Sequence, residues 1–216
     1  MNCCQPSTAT LGTNKFFSRQ SKRYLKRFRK GGLAREQQYL IEGILSAGVT
    51  GKSILDIGCG IGGIHFTLLK QGALSAIGVE ISQGMLDSAK QLSKELGFEK
   101  QTSYLRGDFV EMDGQVSQAD ITVLDKVVCC YENLDALLTA SLEKTRNIYA
   151  LSFPKPTFWI KLFIHIPITL GRLLRWSFRP YWHDWNGMVQ MIEEKGFTQR
   201  YQKETFLWAV RVFEKK

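Results

Sequence analysis

The stretch "LDIGCGIGG", residues 55–63, places four glycines in nine positions directly after a short apolar run. A glycine-rich turn between a strand and a helix lets backbone N–H groups approach a ligand, and the helix N-terminus adds partial positive charge. The stretch therefore predicts a site for a nucleotide-like ligand. Gly58, Gly60 and Gly63 satisfy the G-x-G-x-x-G spacing of dinucleotide sites, and Glu80 stands where a ribose-binding acid is expected.

Asp56, two positions before the first glycine, separates two candidate ligands. A carboxylate there would face the negative pyrophosphate of a dinucleotide, and like charges at short range oppose binding. S-adenosylmethionine instead carries an ammonium and a sulfonium, which a carboxylate attracts. The sign of the charge favours this methyl donor, while a nicotinamide-dependent oxidoreductase remains the alternative with the same fold.

Short apolar runs alternate with helical periodicity along most of the chain. Strands are predicted in "KSILDIG", "LSAIGVEIS", "TSYLRGDF", "ADITVLDKVVCC" and "NIYALSF". This alternation predicts parallel pairing through right-handed crossovers, with helices on both faces of the sheet. The last stretch, "TQRYQKETFLWAVRVFEKK", reads as two successive strands, which must pair antiparallel if their link is short.

Three motifs together resemble the class I S-adenosylmethionine-dependent methyltransferase family: "ILDIGCGIGG", then "VEIS" with Glu80, then "GDF" with Asp108. The resemblance covers roughly residues 35–216. It implies an α/β fold with a Rossmann-like, mostly parallel seven-stranded sheet, helices on both faces and an antiparallel C-terminal strand pair. It also implies an enzyme that uses S-adenosylmethionine as its methyl donor.

The resemblance further implies a donor site at the ends of the strands. Asp56 and the glycine loop would hold the methionyl part, Glu80 the ribose hydroxyls, and Asp108 the adenine amino group. Carboxylates suit these roles because they accept hydrogen bonds from hydroxyl and amino donors. The predicted donor-binding set is Asp56, Gly58, Cys59, Gly60, Gly62, Glu80, Ile81, Asp108, Phe109 and Asp125, with no metal.

A narrower resemblance rests on "KRFRKGG", "LDKVVCCYENLDALL" and the closing "TFLWAVRVFEK". These segments are similar to a bacterial subgroup described as resembling magnesium-protoporphyrin O-methyltransferases. That subgroup shows a proline after the Cys-Cys-Tyr triplet, whereas Glu132 stands there in this chain. A shared fold does not fix the acceptor, so the subgroup does not identify the molecule that is methylated.

The acceptor site is expected at the carboxyl end of the fourth strand, since ligands of such sheets bind in that crevice. Asp125, Lys126 and Tyr131 are candidates to orient the acceptor. His183, just before the last helix, is a candidate base or acceptor contact, and its alternative is an ordinary helix-entry residue. We therefore predict Tyr131 and His183 as the catalytic residues.

The net charge of +9 is concentrated in the first 35 residues, which hold nine Lys or Arg and no acid. We predict a basic N-terminal arm and helix over residues 1–34, helical from about residue 15, with Tyr24, Leu25 and Phe28 on one stripe. The arm is either a solvated helix face or a surface for anionic lipid, nucleic acid or an acidic substrate.

The methyltransferase domain is predicted over residues 35–216, with a hydrophobic, basic cap inserted at about 154–184. This cap has three alternative interpretations: a cover over an apolar, acidic acceptor, a surface that rests on an anionic membrane, or additional core packing. The family resemblance implies that the N-terminal helices and this segment cover the acceptor site. Lys and Arg would then pair with acid groups of the acceptor, while Trp159, Phe163 and Trp176 bury its body.

The remaining features bound the class of protein. The five cysteines, including the adjacent Cys3 and Cys4, form neither a disulfide framework nor a metal pattern. Without a signal peptide or a long apolar window, the chain is expected in the cytoplasm, with peripheral membrane contact as a further option. We predict a methyltransferase acting on a small or amphiphilic, acidic acceptor.

The alternative of another class is a non-catalytic S-adenosylmethionine-binding module that uses its basic arm on membrane or nucleic acid. For nucleic acid the sequence offers charge but no reading motif, so this partner is disfavoured. The sequence leaves the oligomeric state open.

Overall fold

The computed structural model describes residues 8–112, 114–161 and 180–216 of the chain. The helices are α1 (Thr8–Gly31), α2 (Arg35–Ser46), α3 (Gly63–Lys70), α4 (Gln83–Leu96), α5 (Leu134–Glu143) and α6 (Trp185–Glu194). The strands are β1 (Ser53–Ile57), β2 (Ser75–Glu80), β3 (Thr102–Arg106), β4 (Ala119–Asp125), β5 (Thr145–Pro154), β6 (Phe197–Glu204) and β7 (Trp208–Lys215). Two 3₁₀ turns occupy Val110–Met112 and Val128–Cys130.

The middle of the predicted cap, with Phe163 and Trp176, lies outside the described residues, as do Cys3 and Cys4. Within the ranges described, none of the helices is long and apolar enough to cross a membrane.

The seven strands form one sheet in the order β3-β2-β1-β4-β5-β7-β6. The first five strands are mutually parallel, while β7 runs antiparallel between β5 and β6. The predicted fold class is therefore confirmed, including the antiparallel C-terminal pair. The strand order reverses between β1 and β4, and in such a sheet the ligand crevice opens at that point.

Successive side chains of the central strands point to opposite faces of the sheet, and each face carries an apolar core. Ile54 and Ile121 face the layer formed by α2 and α3, whereas Leu55 and Leu124 face the layer of α5 and α6. All four side chains are essentially inaccessible to solvent. The near-continuous apolar runs of β1 and β4 thus follow from burial on both faces, as parallel sheets require.

The basic arm is a docked helix. It begins at Thr8, earlier than the predicted start near residue 15, and ends before Gly32, whose φ of +68° suits a helix stop. Ser18 Oγ lies 2.9 Å from Ser82 Oγ at the start of α4 and accepts from the Gly84 N–H at 3.1 Å. The side chain of Leu25, on the inner side of α1, is buried. α1 packs closely on α4. The boundary predicted at residue 34, between the arm and the methyltransferase domain, stays a prediction.

Candidate active site

A cavity of about 1260 Å³ opens at the carboxyl ends of β1, β2 and β4. Its wall brings together most of the residues predicted from the sequence: Asp56, Gly58, Cys59, Gly60, Glu80, Ile81, Asp108, Phe109, Asp125 and Tyr131. Of the predicted site residues, Gly62 and His183 are not part of the described wall. The cavity therefore unites segments that are distant along the chain.

The glycine loop adopts a backbone that favours glycine at several positions. Gly58 and Gly60 have φ angles of +65° and +55°, in the left-handed region. A Cβ on Gly58 would lie 2.5 Å from Val127 Cγ2, so this glycine allows the loop to pack on the segment after β4. At Gly60 no protein atom lies within 4 Å of the Cβ position, which leaves its backbone open to a ligand.

Glu80 joins the two loops that would surround the ribose. Its Oε2 accepts from the Gly60 N–H at 2.9 Å, and its Oε1 accepts from the Ser82 N–H at 2.8 Å. Burial raises the pKa of the Glu80 carboxyl, and these backbone donors oppose that rise. Each carboxylate oxygen has a second lone pair, so the group can still accept from ligand hydroxyls.

Asp56 lies near the end of β1, with a side chain that is 3% exposed. Its Oδ2 lies 2.8 Å from Nδ1 of His65 on α3. Burial raises the pKa of the Asp56 carboxyl, whereas the hydrogen bond and charge interaction with His65 oppose the rise. The sequence indicates no function for His65, because its contact with Asp56 depends on how α3 packs beside β1.

Asp108 and Tyr131 form a pair across the cavity. The Tyr131 hydroxyl donates to Asp108 Oδ1 at 2.7 Å, and the same oxygen accepts from the Val110 N–H at 3.1 Å. Burial and this hydrogen bond raise the pKa of Tyr131, which keeps the phenol protonated as a donor. Tyr131, predicted as an acceptor contact, therefore contacts the carboxylate predicted for adenine.

Asp125 is held at both carboxylate oxygens at the end of β4. Ser152 Oγ donates to Oδ1, and Gln37 Nε2 donates to Oδ2 at 2.7 Å. Gln37 also accepts from the Ala34 N–H through Oε1, so the first turn of α2 fixes its side chain. Sequence reasoning missed Gln37, since the capping pattern at α2 does not show which strand end the helix faces.

Lys126 follows with a φ of +61°, a left-handed conformation that is rare outside glycine. Its ammonium pairs with Glu36 and lies 5.1 Å from the centroid of the Trp208 ring. Burial acts to lower the pKa of Lys126, but the Asp125 and Glu36 carboxylates raise it overall. Lys126 is therefore a charged group in a strained backbone on the cavity wall, a combination typical of functional sites.

The first helix supplies aromatic and basic wall residues that the sequence did not assign to a site. They are Phe16, Phe17, Tyr24, Arg27 and Phe28. The predicted stripe is thus partly confirmed as a packing face, with Leu25 in the core and Tyr24 and Phe28 on the cavity.

Acids outnumber bases in the described part of the wall. The acids are Asp56, Glu80, Asp108, Glu111, Asp125 and Glu132, against the bases Arg27 and Lys126. The wall therefore favours a cationic ligand over one that carries phosphates.

Gly62 and His183 occupy other places. A Cβ on Gly62 would lie 2.6 Å from His65 Nε2, so this glycine makes room for a buried ring. His183 Nε2 lies 2.9 Å from the carbonyl oxygen of Tyr131, and the ring borders a smaller cavity of about 440 Å³ beside Lys161. The catalytic function of His183 stays a prediction, with its Nε2 directed at a backbone carbonyl.

Comparisons with known proteins agree with this geometry. Residues 54–147, from β1 to the start of β5, match the family described as "Methyltransferase domain". The sterol 24-C-methyltransferase of Eremothecium gossypii is 34% identical over 82 residues, which cover 38% of this chain and 21% of that protein. That of Saccharomyces cerevisiae is 26% identical over 141 residues, covering 62% and 34% respectively. The chain thus spans about a third or less of these curated relatives.

Among solved structures, magnesium protoporphyrin IX methyltransferase from Synechocystis PCC 6803, with bound SAH, superposes with a TM-score of 0.75. The two chains are 19% identical, and the alignment covers 97% of this chain and all of the other. At this identity the likeness establishes the fold.

The sheet order, the acid-lined cavity beside a glycine loop and the matched domain agree with a Rossmann-like methyltransferase fold. Residues 54–147 of the chain carry a methyltransferase domain, and the whole fold is like that of magnesium protoporphyrin IX methyltransferase. The predicted class is confirmed, and the matched domain decides against the nicotinamide oxidoreductase.

Proposed function

We propose that this protein binds S-adenosylmethionine in the large cavity and methylates a small, amphiphilic acceptor that carries a carboxylate. The observation that supports it best is the arrangement of Glu80 and Asp108 at the ends of β2 and β3, beside the bare backbone of Gly60. The pair of carboxylates suits the hydroxyl and amino groups of adenosine.

The described residues fit this donor at each of its ends. Glu80 has lone pairs for ribose hydroxyls, and Asp108 lies beside the buried Phe109, which suits a flat base. Asp56 supplies negative charge for the donor's ammonium. The donor supplies an electrophilic methyl group on a sulfonium, which needs little activation beyond a well-placed nucleophile.

Two cations support an acidic acceptor. Arg27 of α1 and Lys126 after β4 are the basic residues of the described wall, and Arg27 acts electrostatically on Glu36, the partner of Lys126. A carboxylate of the acceptor can compete with Glu36 for these groups. Asp125, fixed by Gln37 and Ser152, is then positioned to orient the acceptor's nucleophile or to accept its proton at a carboxylate oxygen.

The aromatic rings of α1 support an acceptor with an apolar body. Relatives named for sterols and a structural neighbour named for magnesium protoporphyrin IX are consistent with an acceptor that has an apolar body. In the described start of the cap, Phe158 and Trp159 are 71% and 70% exposed. These rings and the basic residues around them support a cap that closes over the acceptor and contacts an anionic membrane surface.

Transfer of a labelled methyl group tests the proposal. The protein is incubated with methyl-labelled S-adenosylmethionine and an extract split into lipid, small-molecule and macromolecular fractions. Label in an acidic, organic-soluble molecule is expected, and it should disappear with Asp125→Asn. Donor binding without transfer in any fraction would instead favour the non-catalytic binding module.

A further inference from the structure

We propose that His65 is a positioning residue of the donor site: from α3 it holds the Asp56 carboxylate ionised and oriented toward the donor's ammonium. This inference rests on the proposed function, because it assumes that the cavity binds S-adenosylmethionine. His65 itself does not line the described cavity wall, so its effect on the ligand passes through Asp56.

Three buried or half-buried side chains from three elements form a chain of hydrogen bonds. His65 Nδ1 lies 2.8 Å from Asp56 Oδ2, and His65 Nε2 lies 3.3 Å from the Tyr104 hydroxyl on β3. Burial raises the pKa of Tyr104, so its hydroxyl stays protonated and can donate to Nε2. In this arrangement the Nδ1–H of the imidazole donates to the Asp56 carboxylate, so the chain directs a donor at that group.

Packing fixes the imidazole in this orientation. The His65 side chain is fully buried, with its ring centroid 4.5 Å from that of Phe66 and 5.9 Å from that of Tyr104. Gly62 leaves the space next to Nε2 that any side chain would fill. Gly62 of the glycine loop therefore makes room for the imidazole, although Gly62 itself is not part of the described cavity wall.

The electrostatic surroundings show why Asp56 needs this partner. Asp56 has charge interactions with further titratable groups besides His65. In the described part of the chain they are Cys59, Glu80, Tyr104 and Asp125. Glu80 and Asp125 would add negative charge, and burial alone raises the pKa of Asp56. Without the Nδ1 donor, the carboxyl takes up a proton at higher pH and loses its attraction for an ammonium.

Two ligands of the same nucleoside separate this function from a structural one. S-adenosylhomocysteine carries the amino-acid part with its ammonium, whereas methylthioadenosine carries the nucleoside and the sulfur but no ammonium. Their affinities are measured by calorimetry at pH 6, 7 and 8 on the wild type, His65→Asn and His65→Leu. The Asn amide can donate from nearly the same position as Nδ1, while Leu cannot.

We expect His65→Leu to weaken the binding of S-adenosylhomocysteine about tenfold or more at pH 7, since the Asp56 carboxylate loses a hydrogen-bond donor. The affinity for methylthioadenosine should change less than about twofold, as expected for a substitution that does not affect its site. The loss should shrink toward pH 8, because the carboxyl of Asp56 ionises as the pH rises through its raised pKa. His65→Asn should retain most of the affinity.

Methylthioadenosine also reports folding, because a misfolded variant would lose both ligands. No loss of either ligand in His65→Leu, or an equal loss of both in a His65→Leu variant that unfolds at the wild-type temperature, would overturn the positioning function. Failure of the wild type to bind both ligands would instead refute the proposed donor site, and this inference with it.

Discussion

Glu80 shows how one side chain can organise a site through its contacts with the backbone. Its two oxygens bind backbone donors from the loop after β1 and from the start of α4. The carboxylate is acceptor-only when ionised, and both donors require an acceptor. Ligand binding and loop order therefore depend on the same charge.

Glu80→Gln tests this dependence. The amide presents one acceptor and one donor, so either the Gly60 or the Ser82 N–H loses its partner. We expect affinity for S-adenosylhomocysteine to fall about ten- to a hundredfold, from the cost of about 1.5–3 kcal/mol for a charged hydrogen bond. Asp87→Asn, on the exposed side of α4, makes the same chemical change outside the cavity and should leave the affinity unaltered. Equal affinity in both variants would contradict this assignment.

Lys126 combines a side-chain function with backbone strain, and two variants separate them. Lys126→Ala and Lys126→Gly both remove the ammonium, but only glycine adopts a φ of +61° without strain. We expect the Gly variant to be more stable than the Ala variant by about 1–2 kcal/mol in urea unfolding. Both should show the same raised KM for an acidic acceptor and wild-type affinity for the donor.

If Lys126→Ala and Lys126→Gly have equal stability, the left-handed backbone is not a source of strain. A raised KM in one of the two alone would argue against a side-chain function in acceptor binding.

At this scale the sequence predicted which residues line the cavity, because each motif lies at the carboxyl end of its strand, while their contacts with the donor stay a prediction. Asp56, Glu80 and Asp108 line the cavity for that reason. Gln37 and His65 could not be placed, since each contacts its carboxylate through helix packing that has no local sequence signal.

Among the elements, α1 lines the cavity, which its basic composition alone does not indicate. Its exposed face carries Lys22, Arg23, Lys26, Arg29 and Lys30, whereas its other side packs on α4 and lines the cavity. Ser18 connects the two helices by bonding to both Ser82 and Gly84. The helix therefore serves as a wall of the site as well as a basic surface.

Removal of the Ser18 hydroxyl tests this connection. We expect Ser18→Ala to lower the free energy of unfolding by about 1–3 kcal/mol, since a donor at α4 loses its partner. Amide exchange across α1 should accelerate. Lys22→Ala, one turn away on the exposed face, should change neither quantity. Unaltered exchange in Ser18→Ala would mean that the contacts of Ser18 do not hold α1 on α4.

The elements themselves were predictable because their periodicities are strong: buried runs for the strands and capped amphipathic segments for the helices. The start of α1 was misplaced, because "TATLGTN" carries few helix-favouring residues.

For the whole molecule, the distribution of charge follows the function. The basic excess lies on α1, facing outward, while the cavity wall is acidic in its described part. The strand order brings Asp56 and Asp125 to neighbouring strand ends, β1 and β4, where negative charge is concentrated. The acidic wall favours a cationic donor, and Arg27 of α1 and Lys126 are the two bases of the described wall that would hold the proposed acidic acceptor.

Calorimetric titration of the wild-type chain with S-adenosylmethionine and with NAD tests the central claim most directly. We predict one bound S-adenosylmethionine per chain with a Kd in the micromolar range typical of enzyme ligands, and no heat of binding with NAD. Asp56→Ala should abolish most of the affinity for S-adenosylmethionine and create none for NAD. Binding of NAD without binding of S-adenosylmethionine would contradict the claim that the acidic cavity is a methyl-donor site.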